Sequence, residues 1–122
     1  MKKTKIKWLG KPQKRDYPAA RSYLSLLLQP KVAKAVVEKF RRAQITDFAA
    51  KDIFRASMLP LLGTSNSHVE KYRQLIILRE PLSPLLLYRD TAHGKLIIAD
   101  GYHRLCAVYT FDEYAVIPCH IV

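Results

Sequence analysis

The residues ADGYHR at positions 99–104 gather a carboxylate, a phenol, an imidazole and a guanidinium around one glycine, between the apolar run KLIIA and the helical pattern HRLCAVYTF. A helix start carries amide N–H groups without helical partners and about half a positive charge, so it attracts anions. Gly101 allows a sharp turn and a close backbone approach. His103 and Arg104 would oppose the helix dipole in that first turn, at about 0.3–1 kcal/mol each, unless an anion sits there. Arg offers a fork matched to phosphate oxygens and His one further donor. The competing reading is a tight turn and a solvated helix start, with Asp100 capping the helix or neutralising Arg104. The phosphate-site candidates are thus Gly101, Tyr102, His103 and Arg104, with Asp100 beside them.

Positioning these side chains needs a strand before the glycine and a helix after it. KLIIA (95–99) is too uniformly apolar for a strand with a wet face, and VIPCHIV closes the chain as another strand. PLSPLLLYRD (81–90) reads as a strand with its two prolines at the entry, joined to KLIIA by a hairpin turn at TAHG. In TSNSHVEKYRQLII, Ser67 as N-cap and Glu70 three residues later suggest a capping box, with Val69, Tyr72 and Ile76 facing inward. ITDFAAKDIFRAS suggests a short strand or loop leading into a turn. Upstream, proline opens two helices. One, over 16–28, has Ala20, Tyr23, Leu24, Leu27 and Leu28 on its apolar face; the other, over 30–43, has Ala33, Val36, Val37 and Phe40. The fold class is α+β: a small mixed sheet covered by helices. Its parts are a basic arm (1–15), a helical N-terminal extension (16–43) and the remaining domain (44–122).

Charge divides the chain unevenly. Its 122 residues carry a net +11, and residues 1–42 hold all of that excess while 43–122 balance. Such a segment favours anionic partners: nucleic acid, an acidic protein or a phosphate-bearing ligand. Lys11, Lys14 and Arg15 in the arm, with Lys31, Lys34, Arg41 and Arg42 on the second helix, form the candidate patch. Trp8 would pin the arm to the body, unless the segment is simply a frayed terminus. Two cysteines without CxxC spacing make no disulfide framework and suit a reducing cytoplasm. No apolar signal core or run long enough to span a bilayer appears, so no membrane partner is expected. Cys119 and His120 are strand neighbours facing opposite ways, and no histidine pair has helical ligand spacing, so no metal site is expected.

From about residue 52 onward the chain resembles the ParB/sulfiredoxin-like superfamily. The resemblance rests on KDIFRAS, HVEKYRQLI, PLSPLLLYRD, IIADGYHRLCAVYTF and IPCHIV, above all on the closing strand, Gly-x-[His/Arg]-Arg, helix and Ile-Pro strand. It implies a pocket holding nucleotide phosphates, ATP or CTP with Mg2+, against the helix that begins near Gly101, with Ser65, Asn66 and His68 close by. Gly101, His103 and Arg104 match the motif. Tyr102 stands where sulfiredoxins carry their catalytic cysteine, and a phenol cannot form the sulfur–sulfur intermediate of sulfinic acid repair. Chromosome-partitioning relatives have Gly-Glu-Arg-Arg here and a helix-turn-helix domain downstream; this sequence stops at Val122. The resemblance therefore implies a nucleotide-responsive switch, or a weak hydrolase or phosphotransferase, rather than a sulfiredoxin. The alternative is a non-catalytic module binding nucleic acid or an acidic protein through its basic N-terminal segment. Monomer and dimer both fit the sequence.

Overall fold

The computed structural model describes residues 5–122. Two helices come first, α1 (Asp16–Leu27) and α2 (Pro30–Arg42), then β1 (Ile45–Ala49), α3 (Ala50–Ser57) and α4 (Ser67–Ile77). The hairpin β2 (Leu85–Asp90) and β3 (Lys95–Asp100), α5 (Tyr102–Phe111) and β4 (Val116–Ile121) complete the chain. The strands lie in the order β1-β4-β2-β3, with β2 parallel to β4 and the other pairs antiparallel. This is the expected α+β fold, a small mixed sheet covered by helices.

Both faces of the sheet are covered, which is why KLIIA alternates so little. Ile97 and Ala99 of β3 pack with Leu86 against Ala20 and Leu24 of α1 and Ala33, Val36, Val37 and Phe40 of α2. Ile98 faces the other way, into a larger core with Leu85, Leu87, Ile117 and residues of α3, α4 and α5. Residues 16–43 are thus a full layer of the fold rather than an appendage to it. Tyr23 and Leu27, expected on the buried face of α1, are 43% and 50% exposed. The layer is only two helices wide, so the flank of α1 meets solvent.

Three elements differ from the sequence expectation, the first being β2, which begins only at Leu85, so that both prolines of PLSPLLLYRD precede the strand. KDIFRAS is a helix, not a turn, and its first amides are satisfied from afar: Ala50 N–H donates to Ala115 O and Lys51 N–H to Glu113 O, both at 2.9 Å. The N-cap of α4 is Asn66, one residue before the expected Ser67. Its Oδ1 accepts from the amides of His68 and Val69 at 3.0 and 3.1 Å, while Glu70 pairs with Arg73 rather than closing a capping box. Of the two readings of the arm, the pinned one holds for its described part near Trp8. Trp8 forms a bridge with Leu82, flanked by Leu9 N–H to Leu82 O and Leu82 N–H to Lys7 O.

Candidate functional site

The junction at Gly101 is built by strand geometry. Leu87 pairs with Ile98 but the next residue, Leu86, pairs with Asp100, so β3 ends in an irregular register with Ala99 as the extra residue. A bulge of this kind bends the strand and re-aims the residues beyond it. Gly101 then takes φ +113°, a conformation that L side chains rarely adopt, and α5 begins. No side chain caps α5, whereas Asn66 caps α4. The first-turn amides of α5 are therefore left for solvent or a ligand.

Asp100, Gly101, Tyr102 and His103 line one cleft of about 470 Å³, to which Ala19 and Tyr23 of α1 and Leu59 of the loop before α4 also contribute. That volume is typical of a small-molecule site. The rings of His103 and His68 lie 4.9 Å apart, each near the start of its helix. Arg73 of α4 meets Thr110 and Phe111 near the other end of α5, so the two helices run side by side in the same direction. Their positive ends converge on the two imidazoles. Burial first, then His68 and Arg104, hold His103 below the ordinary histidine value. Tyr102 donates its hydroxyl proton to Pro60 O, and its ring lies 5.6 Å from that of His103.

Arg104 has a different task from the expected one. It is 5% exposed and lies behind the cleft rather than in its lining. Its Nε donates to Ser83 O at 3.1 Å, and its Nη2 to Pro84 O at 3.3 Å and Asp100 Oδ2 at 2.9 Å. The fork expected to grip phosphate is spent holding the β2 entry to the end of β3, because Asp100 is one helical turn away and faces it. Burial raises the Asp100 carboxyl above its usual range despite the attraction of Arg104. Burial also works against the Arg104 charge, yet Asp100 and Asp16 overcome it and hold the guanidinium above its ordinary value.

The other expected residues separate. His68 reaches the cleft's edge through His103, Asn66 serves as a helix cap, and Ser65 is exposed in the loop and is not one of the residues lining the cleft. Lys11, Lys14 and Arg15 line a broad surface hollow of residues 9–15. Lys34 and Arg41 line a groove between α1 and α2, and Lys31 and Arg42 are exposed on α2. Sequence reasoning missed Ala19, Tyr23 and Leu59 as cleft residues; Tyr23 was legible only as an apolar helix position. Among the described residues no three His, Cys, Asp or Glu side chains gather, and no helix is long and apolar enough to cross a membrane.

Neither cysteine is placed for thiolate chemistry. Both are buried, burial raises Cys106, and Cys119 is pushed up to about 12. Both thiols should stay silent to an aromatic disulfide reagent at pH 8 in the native protein and react together on unfolding. One thiol titrating in the native state would contradict this placement.

Comparison with protein-family models, curated proteins and solved structures gave no match.

Proposed function

We propose that this protein is a phosphate- or nucleotide-binding module of the ParB/sulfiredoxin-like kind, working in a reducing cytoplasm. The observation that carries the reading is the uncapped start of α5 in the lining of a cleft, with His103 lining it beside His68 and with Tyr23 and Leu59 also in the lining. Phosphates would lie on the amides that come after Gly101, with His103 donating to them. Tyr23, Leu59 and Tyr102 offer flat and aliphatic surface for a base. Mg2+ would arrive on the nucleotide, since Asp100 is already engaged by Arg104. Arg104 acts as a positioning residue that fixes the glycine turn. The module binds its ligand as a switch; hydrolysis or phosphotransfer would fall to the imidazoles of His103 and His68 as bases.

Calorimetric titration of ATP, CTP and GTP, with and without Mg2+, should show binding of at least one. His103→Ala should weaken it about tenfold, the cost of losing one hydrogen bond to a charged group. Silence with all three nucleotides sinks the reading. A second arm uses inorganic sulfate, which stays fully ionised from about pH 7.5 to about 5.5. Because His103 titrates below its ordinary value when the site is free, and a bound anion favours the imidazolium, sulfate affinity should rise as pH falls across that window. In His103→Ala that rise should be largely lost.

A further inference from the structure

The cationic excess has a definite place in the fold. Of the described residues 5–42, eleven are Lys or Arg and two are acidic, and one of the two, Asp16, is buried. Tyr17, Arg21, Lys34, Glu38 and Arg41 line a groove of about 120 Å³ along the α1–α2 hairpin. Arg41 lies 4.2 Å over the Tyr17 ring and 3.5 Å from Glu38, so its guanidinium is held in place. Arg21 and Lys34 are exposed, and their side chains have no ion-pair partner among the described residues. Lys39, Arg41 and Arg42 complement the dipole at the end of α2, which accounts for part of the charge. It does not account for Arg15, which sits at the N-cap of α1, where a cation opposes the dipole.

From this arrangement we infer that the outer face of the α1–α2 hairpin docks the phosphodiester backbone of a nucleic-acid duplex, without reading its sequence. Charge complementarity carries the choice of partner. Eleven cations concentrated in residues 5–42 repel each other, and a polyanion relieves that repulsion and releases its own counterions. An acidic protein would need an apolar centre as well. Of the exposed large apolar side chains of the hairpin, Leu26, Leu27 and Val32 lie at its turn, remote from the Arg41–Tyr17 end, and Tyr23 lines the cleft at Asp100–His103 instead. At the groove the one aromatic ring is already covered by Arg41. Along α2, Lys34 and Arg41 stand seven residues apart, roughly 10 Å of helix, a distance within reach of neighbouring phosphates on one strand.

The test is fluorescence anisotropy of a labelled duplex DNA of about 20 base pairs with the full chain, repeated with an RNA duplex of the same length to separate the two sources of backbone. About five phosphate contacts predict that affinity falls about 500-fold between about 50 and 200 mM KCl. Arg21→Ala and Lys34→Ala should each lower the log–log salt slope by about one, whereas Lys71→Ala and Arg79→Ala, on and after α4, should not. Thermal melts of the four variants check that each stays folded. Absence of binding at about 50 mM KCl, or a slope unchanged in both groove variants, overturns the inference. So does polyglutamate of matched charge displacing the duplex at equal concentration, which would assign the face to an acidic protein.

Discussion

Replacing Gly101 by alanine should lower the melting temperature by about 12 °C, the largest effect expected of any single methyl group in this chain. Two costs coincide there. A φ of +113° strains any L side chain, at about 1–3 kcal/mol. The added Cβ would also stand 2.7 Å from Leu85 Cγ and 3.0 Å from Arg104 Nη2, an overpacking that costs about 1–3 kcal/mol more. For a chain of this size a total of about 3 kcal/mol corresponds to about 12 °C. Gly94 is the control. It also has positive φ, +62°, but nothing lies within 4 Å of its Cβ position. Gly94→Ala should cost only about 1 kcal/mol. Calorimetric melts of both variants check the contrast, and equal losses would show that the contact with Leu85 has no weight. The affected turn is the one that presents the α5 amides, so under the proposed function nucleotide affinity in Gly101→Ala should fall along with stability.

Arg104→Met should cost about 3–5 kcal/mol in denaturant unfolding at pH 7, as expected when one partner of a buried ion pair is removed. Asp100 would be left facing Asp16 without a counter-charge, and the carbonyls of Ser83 and Pro84 would lose their donors. The pH dependence separates this role from simple loss of packing. Asp100 is already held above its ordinary value by burial, and Arg104 supplies the influences that lower it. Without Arg104 the carboxyl rises further. A carboxyl raised in the folded state binds more protons folded than unfolded, so stability increases as pH falls through the folded value. The deficit of Arg104→Met relative to wild type should therefore shrink between pH 7 and about 4.5. Adding Asp100→Asn should recover part of it at pH 7. A deficit that is constant with pH would assign Arg104 to packing alone. This expectation also changes what the variant means for binding: loss of nucleotide affinity in Arg104→Met reports a displaced turn, whereas His103→Ala tests contact with the ligand.

Local pattern made much of this fold legible. The two proline-opened helices, the KLIIA strand buried on both faces and the turn at TAHG arise from spacing and turn chemistry, and each lies within a residue or two of its expected bounds. KDIFRAS was not legible as a helix because what starts it is not local: the carbonyls of Glu113 and Ala115 hold its first amides from across the fold. Tyr23 illustrates the same limit at the site. Its three- and four-residue spacing from Ala20 and Leu27 marks an apolar face, but only the width of the helical layer decides that its ring borders the cleft instead of the core.

Residue type and period alone were enough to end a buried strand at Gly101, to begin a helix there, and to assign the positive charge to the first third of the chain. Each of these is a local property, readable without knowing which segments meet. The role of Arg104 is of the other kind. Spacing places it beside a helix start, where a phosphate fork is a reasonable expectation, but burial demands that a guanidinium satisfy its donors inside the protein. Ser83, Pro84 and Asp100 supply those acceptors from segments that meet only when β2 and β3 pair.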